Sequence, residues 1–252
     1  MAKTLLITGG ASGIGAETAR RAATRSYKVA VNYRSRDAQA KAVVADIVAK
    51  GGEAIAVPGD MAREADILRM FEETERALGP ITHLVNSAGT NGRPGRVGEY
   101  DAAVLANLFA INVMGLMLCC REAAKRMSTK HGGKGGAIVN VSSMAATIGG
   151  RANSSAYAAS KGAVDAFTKG FAREVAAEGI RVNSLRPGLV RSEMTEARLK
   201  DPAFRSHIEA SIPMRRVGQV HEMAEAILWF LSDEASFITG AMLDAAGGGY
   251  II

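Results

Sequence analysis

Thr4-Leu5-Leu6-Ile7-Thr8-Gly9-Gly10-Ala11-Ser12-Gly13-Ile14-Gly15 is the stretch whose reading decides the fold. Its first five residues are β-branched or apolar without alternation, the pattern of a strand covered on both faces of a parallel sheet. Residues 16–25 read as a helix. A glycine-rich turn between strand and helix is the setting in which glycines acquire a ligand, because the backbone can approach a pyrophosphate closely and free amides at the helix start point at its charge. Gly9, Ser12, Gly13, Ile14 and Gly15 are therefore candidate dinucleotide contacts.

Outward from this unit, strands and helices alternate along the whole chain. A strand over 28–33 ends where a carboxylate would bond the adenosine ribose of NAD, but the residues there are Asn32, Tyr33, Arg34, Ser35 and Arg36. Guanidinium groups at that position pair with a 2′-phosphate, so NADP is expected over NAD. A helix over 37–50, a strand over 53–58 and a helix ending at 78 follow, with Asp60 placed to cap that last helix. Strands near 83–86, at 137–141 and at 180–185 continue the pattern, and a long helix is expected over 100–127. No run approaches the roughly 20 apolar residues of a membrane span. The alternation implies one α/β domain with a doubly wound parallel sheet, whose carboxyl edge carries the site.

Tyr157 and Lys161 stand one turn apart on a helix that Ser154 or Ser155 can cap, with Val164, Phe167, Phe171 and Val175 at helical spacing. A phenol titrates near pH ~10, and a neighbouring ammonium lowers an acid by roughly 1 to 3 units. The pair suits general acid–base work on an alcohol or carbonyl.

The 252 residues are 48% hydrophobic and 22% charged, an ordinary globular composition. The net charge of +6 comes from Lys and Arg dispersed among Asp and Glu, which disfavours a nucleic-acid interface and leaves a mild positive field suited to an anionic cofactor or substrate. The only cysteines, Cys119 and Cys120, are adjacent and can form neither an ordinary intrachain bridge nor a spaced metal site, so no metal is expected. Residues 1–8 do not read as a signal peptide. A soluble, cytoplasmic protein with no membrane partner is the expectation.

Thr8-Gly9-x-x-x-Gly13-x-Gly15, Asn86-Ser87-Ala88-Gly89, Ser142-Ser143, Tyr157-x-x-x-Lys161 and Pro187-Gly188 together resemble the short-chain dehydrogenase/reductase family over essentially the full length. The resemblance implies a Rossmann-type sheet of seven strands in the order 3-2-1-4-5-6-7, one domain over 1–252, a substrate lid over 193–213 and a homotetramer. It implies NADP(H)-dependent hydride transfer to or from a carbonyl or secondary alcohol, in a 3-oxoacyl thioester, a sugar or a small ketone. Tyr157 is then the general acid/base and Lys161 holds the nicotinamide ribose, while Asn112 supports a water relay. Ser143 steadies the oxygen, with Ser142 as the alternative because the loop to Tyr157 is one residue longer than usual. The resemblance adds Asp60, Met61, Asn86, Ala88, Gly89, Pro187, Gly188, Val190 and Ser192 to the cofactor contacts. A catalytically idle nucleotide-binding scaffold is the competing reading, which loss of Ser, Tyr or Lys would favour; none is lost. Lys125, Arg126, Lys130, His131 and Lys134 could offer an acyl carrier protein a basic surface, and Glu178 stands against it.

Overall fold

In the computed structural model, residues 3–249 are described. The first unit is β1 (Lys3–Thr8) and α1 (Gly13–Ala23), followed by β2 (Tyr27–Tyr33), α2 (Asp37–Ala49), β3 (Ala54–Pro58), α3 (Glu64–Leu78) and β4 (Ile81–Asn86). Then come α4 (Ala102–Phe109), a π-helical segment (Ala110–Gly115), α5 (Leu116–Met127) and β5 (Gly136–Val141). The remaining elements are α6 (Ala145–Ile148), α7 (Ser155–Val175), β6 (Ile180–Pro187), β7 (Val190–Arg191), α8 (Glu193–Leu199), α9 (Pro202–Ser211), β8 (Gly218–Gln219), α10 (Val220–Leu231) and β9 (Met242–Ala245).

Seven strands pair in the order β3-β2-β1-β4-β5-β6-β9, all parallel, as expected. Leu5, Leu6 and Ile7 are wholly buried because helices cover both faces. α1, α2 and α10 pack one apolar layer around Leu5, Ile7, Val29 and Ile227. α3, α5 and α7 pack the other around Leu6, Phe71, Leu84 and Val164. Reversal of strand order between β1 and β4 opens a crevice at the carboxyl edge.

Several local expectations give way. Asp60 does not cap α3: that helix begins four residues later behind Arg63, while the Asp60 carboxylate accepts the amide of Ala62 at 2.9 Å in a tight turn. Neither Ser154 nor Ser155 caps α7 with its hydroxyl. Instead the Ala156 amide donates to the Tyr100 phenol at 3.2 Å, and that phenol shares a 2.5 Å hydrogen bond with Ser155 Oγ. The helix predicted over 100–127 begins at Ala102, capped by the Asp101 carboxylate, and is interrupted by the π segment. From Ala102 to Met127 it is also long and apolar enough to cross a membrane, contrary to the expectation of no such run. Here Leu116, Cys119, Cys120, Ala123 and Met127 pack into the core, and buried Glu122 is paired with Arg121, Lys125 and Arg126. The 193–213 segment expected as a lid is mostly helical, with α8 and α9 folded over a small cluster of Leu199, Ile208, Ile212 and Val217. β7 and β8, not anticipated, form a separate two-stranded parallel sheet at its base.

Gly115, where the π segment ends, meets α3's leading turn so closely that a Cβ would lie 2.2 Å from the Met61 carbonyl oxygen. Gly115→Ala should destabilise the fold by ~3 kcal/mol, because backbone must shift in a packed core. For a chain of this size that lowers the melting temperature by roughly 5–10 °C, measurable by circular dichroism.

Candidate active site

The glycine-rich turn is a backbone surface. Gly9 and Gly13 have φ of 65° and 55°, where L side chains are strained. A Cβ on Gly15 would fall 2.5 Å from the Gly9 carbonyl oxygen, and the Gly9 amide donates to Asn32 Oδ1 at 3.1 Å. Ser12 precedes α1 with its side chain free of capping, and the Ile14 carbonyl accepts from Thr18. A cavity of about 340 Å³ runs from Ser12 and Gly13 to Ser192 and Glu193.

Beyond this turn, Thr8 Oγ1 accepts the amides of Ser87 and Ala88 at 3.1 Å each, clamping β4's exit to β1's. Gly89 then passes so near the helices that a Cβ would stand 3.4 Å from Asn112 Oδ1 and 3.6 Å from Lys161 Nζ. Asn112 lies in the π segment, fully buried; its oxygen accepts from the Thr90 amide at 2.8 Å and its nitrogen donates to Thr90 O and Ser160 Oγ. Asn86 is buried and donates to Asn140 Oδ1 at 2.9 Å. Met61 packs beneath, 3.8 Å from Cys119 sulfur to sulfur.

Lys161 is buried, and its ammonium donates to the Val141 carbonyl at 2.8 Å, the last residue of β5. Burial pushes its pKa down to about 8, against the attraction of Asp165 one turn along α7. Asp165 is itself tied to Arg186 at 2.8 Å, and Arg186 reaches Asp244 at 3.2 Å, joining α7 to β6 and β9. The Lys161 nitrogen is 5.9 Å from the centre of the Tyr157 ring. Burial raises the Tyr157 phenol above its ordinary value, while a hydrogen bond with Ser143 favours the phenolate. The expected lowering by Lys161 is not what this geometry does, because burial of the phenol dominates.

The two serines divide. Ser142 is buried and donates to the Lys161 carbonyl at 3.2 Å, supporting α7 from below. Ser143 faces Tyr157 and accepts the Ala145 amide at 3.1 Å. Across the crevice the Pro187 carbonyl accepts from Met144, the Gly188 amide donates to Ala245, and Val190 is buried in β7. Ser192 is the N-cap of α8, in a reciprocal arrangement with Thr195. At the far end Arg34 is exposed and makes no ion pair among the described residues, whereas Arg36 pairs with Glu193 of α8.

Sequence reasoning did not find the wall facing Tyr157. A cavity of about 390 Å³ is lined there by Arg93, Tyr100, Val104, Leu108, Asn153 and Tyr157. The 91–101 segment has no periodicity to flag it; the polar Gly-Pro-rich run before the long helix was the available signal. The basic group expected near 125–134 is largely neutralised: Arg126 pairs with Glu75 and Glu122, Lys125 with Glu122, and Lys130 with Glu178.

Residues 9–250 match the family described as enoyl-(acyl carrier protein) reductase. The uncharacterized oxidoreductase YgfF of Escherichia coli K12 is 44% identical over 96% of this chain and 98% of its own. A human 3-oxoacyl-[acyl-carrier-protein] reductase is 37% identical over 98% of each. A solved short-chain type dehydrogenase/reductase from Mycobacterium ulcerans superposes with a TM-score of 0.92 at 30% identity, covering 98% of this chain and 90% of that one.

Burial of Lys161 makes stability depend on pH. Between about 8 and the ordinary 10.5, unfolded Lys161 holds a proton that the folded one has released, so stability rises with pH across this window. At roughly 1.4 kcal/mol per unit the rise is on the order of 3 kcal/mol. Urea unfolding across this window should show wild type gaining stability relative to Lys161→Met as pH rises; parallel profiles would contradict it.

Proposed function

The chain belongs to the short-chain dehydrogenase/reductase family of oxidoreductases, which act on a CH–OH or carbonyl group with NAD(P), and on that premise we propose that it is an NADPH-linked reductase of small-molecule carbonyls. The observation that carries the reading is the convergence of Ser143, Tyr157 and Lys161 beside a side-chain-free turn at one sheet edge. The turn fits a dinucleotide: Gly9, Gly13 and Gly15 leave a cradle that side chains would fill. Gly9, Ser12, Gly13, Ile14 and Gly15 would hold its pyrophosphate, with Asp60, Met61, Asn86, Ala88 and Gly89 along the adenosine side and Pro187, Gly188, Val190 and Ser192 along the nicotinamide side.

When bound, the nicotinamide supplies or accepts the hydride. Tyr157 gives its phenolic proton to the substrate oxygen as negative charge develops there, and takes it back in oxidation. Ser143 donates to the same oxygen and fixes its position. Lys161 would hold a ribose hydroxyl of the bound nucleotide, and its charge would favour the Tyr157 phenolate. Asn112, held by Thr90 and Ser160, keeps the helix backbone open at the π segment for a water that returns the proton.

Arg34 supports NADP over NAD: it stands exposed, with no ion pair among the described residues, just past the end of β2, where a guanidinium answers a 2′-phosphate. The name of the human relative supports a 3-oxoacyl group among the substrate classes, while the ion pairing of Arg126 and Lys130 supports a free substrate over a carrier protein. Trp229, Phe237 and Leu243 expose apolar surface on α10, the turn after it and edge strand β9, which supports a homotetramer. Buried, unpaired Cys119 and Cys120 support a cytoplasmic setting.

Arg34→Ala should weaken NADPH binding roughly ten- to a hundredfold and leave NADH nearly unchanged, read by fluorescence titration. Equal loss for both cofactors would remove the phosphate assignment. Tyr157→Phe should lower kcat by about 10²–10⁴ with NADPH affinity retained.

A further inference from the structure

Outside the reacting groups, one charge arrangement is unexplained by the fold. Arg151, in the loop between α6 and α7, and Arg198, in the lid helix α8, both face the ring of Phe204 in α9, at 6.0 and 4.4 Å from its centre. Neither guanidinium has a carboxylate partner among the described residues. The acidic side chains of the lid's first half are engaged elsewhere: Glu193 with Arg36, Glu196 with Arg191 at 3.7 Å, and Asp201 with the Ala203 amide. Arg151 is partly buried, and both burial and the charge of Arg198 work against its protonated form. A partly buried guanidinium without a carboxylate is a favourable partner for an anion.

The position is specific. The loop that carries Arg151 also places Asn153 and Ser154 in the wall of the cavity beside Tyr157, and the Asn153 carbonyl accepts the Gly95 amide from the opposite wall at 3.0 Å. Asn153 sits at φ 65°, a left-handed turn that aims the loop toward the lid. Arg151 and Arg198 thus approach one ring from two elements, the α6–α7 loop whose neighbouring residues line the cavity and helix α8, with Phe204 as a platform within cation–π distance of both. Neither guanidinium has a carboxylate among the described residues, and a planar fork suits a carboxylate or phosphate.

We propose that Arg151 and Arg198, stacked on Phe204, form a recognition site for a carboxylate or phosphate group of the substrate, remote from the carbonyl that is reduced. This inference rests on the carbonyl-reductase reading and narrows it to anionic oxo-compounds. The anion closes α8 and α9 onto the 149–154 loop by joining two like charges, so binding and lid position are one event.

The test compares levulinate and its longer keto-acid homologues with their methyl esters as NADPH-coupled substrates, in wild type and Arg151→Gln/Arg198→Gln. Wild type should favour one acid over its ester by roughly ten- to a hundredfold in kcat/KM, and the double variant should bring that ratio to about one. A ratio near one in wild type, or a preference the variant retains, overturns the site. Calorimetric titration with glutarate and, separately, inorganic phosphate reads the site without turnover and tells carboxylate from phosphate: binding of one should weaken at least about tenfold in the variant. If no ketone is reduced but that binding and its loss are observed, the carbonyl-reductase reading fails and the anion site stands; if wild type binds neither anion, the site fails whatever is reduced.

Discussion

The carboxyl ends of β1 and β4 meet closely at Gly9, where no Cβ separates the two backbones. A Cβ on Gly9 would stand 2.8 Å from Ala88 Cα, and Thr8 draws the Ser87 and Ala88 amides onto its hydroxyl. This approach decides where the next residues go: Gly89 is led past Asn112 and Lys161, and the crevice between the diverging strands is left lined by backbone. Everything chemical sits on its rim. A methyl group at Gly9 would separate the strands, and the distance would propagate to the helix that carries Tyr157 and Lys161.

Behind the crevice lies a polar layer that a simpler core would omit. Asn86 bonds Asn140, Asn140 is reached by Thr168, Ser184 donates to the Asn140 carbonyl, and Asp165 joins Ser184 to Arg186. Buried polar groups are costly when unpaired and directional when paired. Here the pairing joins β4, β5 and β6 to α7, so the helix cannot slide on the sheet as an all-apolar contact would permit. Rigid placement of Lys161 follows from that layer more than from its own hydrogen bond.

Most of the architecture was legible because it rests on local signals. Unbroken apolar runs gave buried strands, and Gly9, Gly13 and Gly15 gave the turn, since only glycine tolerates those contacts. Tyr157 and Lys161 were legible as a pair from helical spacing alone. What escaped depends on which of several candidate partners a side chain takes, most of them distant in sequence. Asp60 reads as a cap until Asp66 and Ala62 compete for its turn. The choice between Ser142 and Ser143 needs the Lys161 carbonyl, eighteen or more residues away, to claim one of them. The direction of the Tyr157 shift was not legible because spacing cannot report how the packed fold buries the phenol. Tyr100 and Arg93 carried no pattern at all; their place near Tyr157 exists only once α4 and α7 pack.

The π segment at Ala110–Gly115 has one further implication. A wider turn holds one more residue than an α turn, so the helix on its two sides runs out of phase. The half with Val104 and Leu108 can face the pocket while the half with Cys119 and Ala123 faces the sheet, each with its own angular origin. Winding the same residues as a regular α-helix would rotate one half against the other by about 100°. The segment therefore works as a phase adjuster, allowing the pocket wall to vary in sequence without the core having to follow.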